Sequence, residues 1–490
     1  MKSEKVLIVG AGFGGLALAA LLAKDGYAVT VVEKNSGPGG RAMVFRDQGY
    51  TFDMGPSWYL MPDIFERFFA LLDRGVADYY TLVRLDPSYR IYFGRDDFVD
   101  VSSGLDENFA LFERMEQGAG ERLRAYLAQA EYEYNVAVNE FLYREYRTIF
   151  DFFNKRTAVE GRKLHVFENL AKYTRRYFEN DRLRKVLSYS MVFLGGSPSN
   201  TPALYSILSH VDFNLGVWYP QGGMGAVVNG IEKIARENGA VFHYNQEVTE
   251  VVTGDGRRCT GVRTADSFYE ADHVVINADY PHAEMELLPA RYQTYSERYW
   301  KSRTLAPSAF MMYLGLKRPV EGLLHHTLSF EHDWEEHFDS IFRNPSWPQR
   351  PSYYFSCPSK TDETVTVPGG DTLMVLVPVA AGLDDSDSVR EAVASQTLDY
   401  MEQLLQQPIR EQIASYTLFS QRDFAKVFNA YRGTALGLSH TLRQTAVFRP
   451  GHRSRKLPNV WYTGQYAHPG IGMPMALISS TLVHEAIRKA

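Results

Sequence analysis

Three glycines, Gly10, Gly12 and Gly15, stand in the spacing G-x-G-x-x-G, and an acidic residue, Glu33, follows about 20 positions later. That spacing suits the phosphates of a dinucleotide. Gly10 permits a tight turn, Gly12 presents no Cβ to an approaching pyrophosphate, and Gly15 lets a helix lie close against a strand. The free N–H groups and positive dipole end of such a helix complete an anion site. A carboxylate at Glu33 is placed to accept hydrogen bonds from a ribose diol. It would repel a 2′-phosphate, which directs the site to FAD or NAD rather than NADP.

This chemistry needs a strand before the turn and a helix after it. Val6-Leu7-Ile8-Val9 is an apolar, β-branched run of the kind that forms a buried parallel strand. An apolar helix pattern covers Leu16 to Ala23, Gly26 breaks it, and Ala28 to Val32 reads as a second strand ending at Glu33. The glycines therefore sit inside a βαβ unit. Lys2 and Lys5 ahead of an apolar run also resemble the start of a secretion signal. The central glycines, Glu4 and the missing small-x-small cleavage site oppose that reading.

Gly39-Gly40-Arg41 comes six residues after Glu33. Here the sequence resembles the superfamily of FAD-dependent amine oxidases and carotenoid desaturases, whose extended signature ends in GG-R. The resemblance implies FAD, with Arg41 near the diphosphate and ribityl chain, where a guanidinium fork fits. Further along, Asp53-x-Gly55-Pro56 resembles the loop that passes the flavin ring. Gly216-Val217-Trp218-Tyr219-Pro220-Gln221-Gly222-Gly223 resembles the segment before the helix that returns the chain to the cofactor. Val248 matches the position that holds the adenine edge through backbone groups. At the C-terminus, a strand pattern from Asn459 to Gly464 runs into Gln465-Tyr466-Ala467-His468-Pro469-Gly470-Ile471-Gly472-Met473-Pro474 and a helix from Met475 to Arg488. The His-Pro-Gly-x-G-x-Pro core is similar to bacterial and fungal phytoene desaturases. Family members often carry an acidic or small residue where Gln465 stands here.

The resemblance implies a cofactor-binding set of Gly10, Gly12, Gly14, Gly15, Glu33, Lys34, Gly40, Arg41, Gly55, Pro56, Val248, Gly464, Gly472 and Met473. It also implies a reaction: insertion of trans double bonds into phytoene or dehydrosqualene, with hydride passing to the flavin and oxygen or a quinone reoxidising it. A proton must then leave the neighbouring carbon. Asp151, beside Arg147 in the aromatic stretch Phe141 to Phe153, and His468 are the acid–base candidates. That stretch could line an apolar tunnel, lie on a bilayer surface, or be a core helix with a solvated face. Three other readings stand beside this one: a carotenoid isomerase or oxygenase of the same family, a flavin amine oxidase, and a prenyl-protein escort on the same fold.

The two halves of one cofactor site lie at opposite ends of the chain. The expected fold class is therefore α/β: a discontinuous Rossmann-like FAD-binding domain (1–75, 216–285 and 440–490), an inserted α+β substrate domain (76–105 and 286–439), and a mainly helical, membrane-associating region (106–215). Composition agrees with an enzyme of this kind. The 490 residues are 45% hydrophobic, enough for a large core, and the net charge of −6 opposes nucleic-acid binding. Two cysteines, Cys259 and Cys357, exclude a disulfide framework, and no Cys/His cluster has metal spacing, so no metal is expected. His325-His326 is an adjacent pair whose rings would point to opposite faces of a strand. No apolar run approaches the length of a membrane span. An insoluble polyene must nonetheless be taken from a lipid bilayer, so a cytoplasmic protein attached peripherally to the membrane is expected. The sequence is silent on oligomeric state.

Overall fold

The computed structural model describes residues 3–145, 168–254 and 256–490. Asp151, Arg147 and most of the stretch Phe141 to Phe153 lie outside the described residues.

A five-stranded parallel sheet carries the glycine-rich turn. Its spatial order is Val460–Tyr462, His273–Ile276, Lys5–Val9, Ala28–Val32 and Val241–His243. The strands Lys5–Val9, Ala28–Val32 and Val460–Tyr462 fall where the sequence pattern places them. The helix Phe13–Lys24 is buried along almost its whole length, so its sequence is uniformly apolar rather than amphipathic. It packs between the C-terminal helix Met473–Arg488 and the helix Met224–Glu237. The first strand of the chain thus has a strand from the last fifty residues two places away in the same sheet.

Beside it stands a seven-stranded sheet in the order Ile413–Phe419, Ser308–Leu316, Asp371–Val379, Tyr353–Ser356, His326–Ser329, Tyr89–Gly94 and Asp97–Val101. All pairs are antiparallel except His326–Ser329 with Tyr89–Gly94. Ser308–Leu316 is buried at all nine positions, as expected for a strand covered on both faces. A three-stranded antiparallel sheet, Val248–Thr253, Cys259–Thr264 and Phe268–Glu270, flanks the parallel one.

Among the described residues, 105–215 are mainly helical. Leu105–Met115 and Ala119–Val136 are α-helices, and π-helical turns follow at Ala137–Leu142 and His210–Leu215. No helix among the described residues is long and apolar enough to cross a membrane. After the GG-R turn, where Gly40–Ala42 is 3-10 helical, a short strand runs from Val44 to Asp47. It pairs with Tyr50–Asp53 in a hairpin whose turn places both Gln48 and Gly49 at positive φ.

Candidate active site

A single cavity of about 970 Å3 runs from the glycine-rich turn into the gap between the parallel sheet and the seven-stranded sheet. One arm is polar and backbone-rich. Gly10, Gly12 and Gly14 line it, with Glu33, Lys34, Gly40, Arg41, Gly55, Pro56 and Val248. From the other end of the chain come Gly464, His468, Gly472 and Met473. The residues grouped from sequence are thus brought to one cavity, with one exception. Gly15 lies behind the wall: a Cβ there would stand 2.2 Å from the Gly10 carbonyl oxygen and 2.9 Å from Asn277 Nδ2. It serves helix-to-strand packing.

The polar arm is built from backbone contacts that tolerate no side chain. Gly10 has φ +98°, which favours glycine. Gly39 donates its N–H to the Ala11 carbonyl at 2.8 Å, which draws the second glycine pair against the first. At Gly40 a Cβ would meet Gly12 Cα at 3.0 Å. Asn277, at the end of the strand His273–Ile276, donates through Nδ2 to the Gly10 carbonyl at 3.2 Å. Its amide also lies where Cβ atoms on Gly12, Gly14 and Gly15 would fall. Sequence reading did not single out Asn277.

Glu33 is buried. One oxygen accepts the Ala11 N–H at 2.7 Å and the other accepts both the backbone and side-chain N–H of Asn35 at 2.8 Å. The oxygen bonded to Ala11 keeps a second lone pair for a ligand. Lys34 turns away from this group: Nζ donates to the Lys426 carbonyl at 2.9 Å and to Asn429 Oδ1 at 2.6 Å. Arg41 Nη2 is 3.6 Å from Asp279 Oδ2, and Arg41 Nε and Nη2 are buried with no hydrogen bond. Unused guanidinium donors beside a glycine cradle fit a diphosphate. Burial pushes the Asp279 carboxyl up to about 6, against the pull of Arg41.

The loop at Asp53 lines the cavity at Gly55 and Pro56 and has a second role besides. Asp53 accepts the N–H groups of Met224 and Gly225 at 2.9 and 3.3 Å, capping the helix Met224–Glu237. The close approach that Gly55 permits is to the Arg41 carbonyl, 2.5 Å from where its Cβ would be. This loop therefore ties the returning helix to the GG-R turn, and it delivers Pro56 and Trp58 to the cavity wall.

The other arm is apolar. Its walls include Leu60, Met61, Tyr134 and Phe141 from the first half of the chain, and Met311, Leu328, Phe330, Trp334, Phe338 and Phe428 from the second. Trp58 stacks on His326 with ring centres 4.0 Å apart and lies 5.9 Å from Tyr189. Histidines in this wall are neutral. His337 donates from Nε2 to the Pro378 carbonyl at 2.8 Å and accepts the Ser352 N–H at Nδ1, and burial lowers it to about 4. His440 accepts the Ile471 N–H at Nε2, which leaves Nδ1–H to donate to the Tyr205 hydroxyl at 2.7 Å. His468 donates from Nε2 to the Leu142 carbonyl at 3.1 Å, and burial takes it down to about 3. His325 and His326 are buried, with Thr361 and Tyr354 as their hydrogen-bond partners. No group of three or more possible metal ligands occurs among the described residues.

The family model described as flavin containing amine oxidoreductase matches residues 13–487. A Haloarcula japonica protein named carotenoid 3,4-desaturase is 45% identical over 493 residues, covering 99% of this chain and 98% of its own. A Myxococcus xanthus protein named zeta-carotene-forming phytoene desaturase is 35% identical over 493 residues, covering 99% and 94%. Among solved structures, an oxidoreductase from Methanosarcina mazei has the same fold, with TM-score 0.66 at 15% identity over 98% of this chain and 100% of that one. The chain belongs to the flavin containing amine oxidoreductase family, which takes FAD as cofactor, and within it to the carotenoid and phytoene desaturases.

Proposed function

We propose that this protein is an FAD-dependent carotenoid desaturase that removes hydrogen from two adjacent carbons of a long polyene and leaves a trans double bond. The observation that carries this reading is the continuity of one cavity, polar at the glycine-rich turn and aromatic and aliphatic beyond it. A cofactor and an oily chain would meet inside it, away from water. FAD supplies the hydride acceptor when bound. The N–H groups at the start of the helix Phe13–Lys24 and the free donors of Arg41 would hold its diphosphate, and Glu33 its adenosine ribose. Val248, Gly464, Gly472 and Met473 would close around the remainder. The apolar arm would orient the polyene and exclude water, and its aromatic faces favour positive charge developing on the substrate.

The same reading assigns the parallel sheet and its C-terminal strand to a discontinuous FAD domain, and the seven-stranded sheet to the substrate domain. It attaches the protein peripherally to a bilayer, the source of the substrate, with oxygen or a quinone as final acceptor. The relatives' names divide between phytoene and a later carotenoid, so the assay offers both. Flavin-loaded protein is given phytoene, diapophytoene or a carotenoid saturated at the 3,4 bond, each in phospholipid vesicles. New long-wavelength absorption with any of them supports the reading. Unchanged spectra with all three, with flavin bound, refute it.

A further inference from the structure

Six Asp, Glu, Lys or Arg residues among those described line the cavity: Glu33, Lys34, Arg41, Glu247, Asp279 and Asp212. The first five belong to the cofactor arm. Asp212 belongs to the apolar one. It sits in the π-helical turn His210–Leu215 and is only 7% exposed. Such turns are rare and concentrate at functional positions. Two phenols hold one of its oxygens. Oδ2 accepts from the Tyr89 hydroxyl at 2.6 Å and from the Tyr189 hydroxyl at 3.1 Å. Oδ1 is buried and makes no hydrogen bond. Tyr189 also lines the cavity, next to Trp58 and therefore near the Gly55-Pro56 loop. A buried carboxylate oxygen without a partner is unfavourable unless something else uses it.

Building on the desaturase reading above, we propose that Asp212 is the proton acceptor of the reaction, taking at Oδ1 the proton from the carbon next to the one that loses hydride. Two C–H bonds break and one carbon–carbon π bond forms. One hydrogen leaves with its electron pair to oxidised flavin, which is thereby reduced. The other leaves as a proton to Oδ1, and its bonding pair becomes the π bond. Tyr89 and Tyr189 fix the carboxylate's orientation and leave the second oxygen open to substrate.

Electrostatics agree with this role. Burial pushes the Asp212 carboxyl up to about 7, so near neutrality it is part ionised and a far stronger base than an exposed aspartate. The titratable groups facing it are Tyr89, from the seven-stranded sheet, and Tyr189, from the 3-10 turn Tyr189–Leu194. Burial raises both phenols far above their usual value, so both stay protonated donors. The wall histidines are poorer candidates. His337 and His440 have both ring nitrogens engaged, and His468 is lowered to about 3.

The test uses flavin-loaded protein and whichever polyene the wild type converts. In D212N the amide oxygen can still accept from both tyrosines, so fold and flavin content are expected to persist while turnover falls roughly 100- to 10,000-fold. The wild-type rate should rise with pH through about 7, and the residual D212N rate should lose that rise. Difference infrared spectroscopy should show one carboxyl fewer titrating near neutrality in D212N than in the wild type, against a shared background from Asp53, Asp279 and Glu133, which burial also raises. A D212N rate within tenfold of wild type overturns the proposal, as does a wild-type rate flat with pH. Should D212N fail to fold, the wild-type pH profile decides alone, and a rate that does not rise through about pH 7 overturns the proposal. A wild type inactive on every polyene counts against the desaturase reading itself and removes the proposal with it.

Discussion

Arg41 Nη2 stands 3.6 Å from Asp279 Oδ2, with both atoms buried and neither in a hydrogen bond. The pair is close enough for charge attraction and too far for direct contact. Geometry of this kind leaves room for a third polar group. Arg41→Met should therefore weaken FAD binding about 10- to 100-fold, the loss expected for one charge-assisted hydrogen-bonding group. Titration of apoprotein with FAD, followed by flavin fluorescence, checks this. Unchanged affinity would remove Arg41 from the cofactor set.

Two glycines of the βαβ unit separate steric from conformational need. At Gly15 a Cβ would press on the Gly10 carbonyl at 2.2 Å, whereas at Gly26, with φ +88°, it would meet nothing within 4 Å. Gly15→Ala should abolish flavin retention and lower stability by more than about 3 kcal/mol. Gly26→Ala carries only backbone strain, about 1 kcal/mol, and should keep its flavin. Chemical denaturation with flavin absorbance distinguishes the two.

Asp53 links pH to stability through the helix it caps. Burial pushes its carboxyl up to about 6, above the ordinary value of an unfolded aspartate. A raised folded value means that the associated stability is complete below about pH 4 and is lost as pH rises through about 6. Asp53→Asn keeps one oxygen for the shorter bond, from Met224 N–H, gives up the longer one from Gly225, and cannot ionise. Between pH 4 and pH 7 the variant should therefore gain about 2 kcal/mol relative to wild type. Parallel melting curves at several pH values measure this difference.

Phe448 is 51% exposed yet lines the cavity, together with Ala446 and Val447. An apolar ring that is both at the surface and at the cavity wall suits a bilayer-facing mouth. Phe448→Asp should reduce co-sedimentation with phospholipid vesicles severalfold and leave flavin content unchanged. Equal sedimentation of variant and wild type would place the membrane contact elsewhere.

The chain announces its cofactor clearly. Gly10, Gly12, Gly15 and Glu33 each answer a local steric or hydrogen-bonding need, so their spacing is readable without coordinates. The strands Lys5–Val9 and Ala28–Val32 are dominated by β-branched apolar residues, legible for the same reason. The match between the Gly39-Gly40-Arg41 turn and the His468-Pro469-Gly470 segment was also readable as two halves of one site. Asp53 was harder. Its loop reads as a cofactor contact, and only the position of the helix Met224–Glu237 reveals a cap.

What the sequence determined by itself was local: the phosphate turn, the acidic residue beyond it, the buried strands and the aromatic richness. Those features depend on neighbours along the chain, where φ angles, dipoles and side-chain periodicity act. Only the tertiary structure decided that Asp279 faces Arg41, that Asn277 fills the space beside three glycines, and that Asp212 lies under Tyr89 and Tyr189. Asp212 is an unremarkable residue inside an irregular helix in the sequence. Its open oxygen and raised carboxyl arise from burial, and burial is a property of elements far apart in the chain closing over one point.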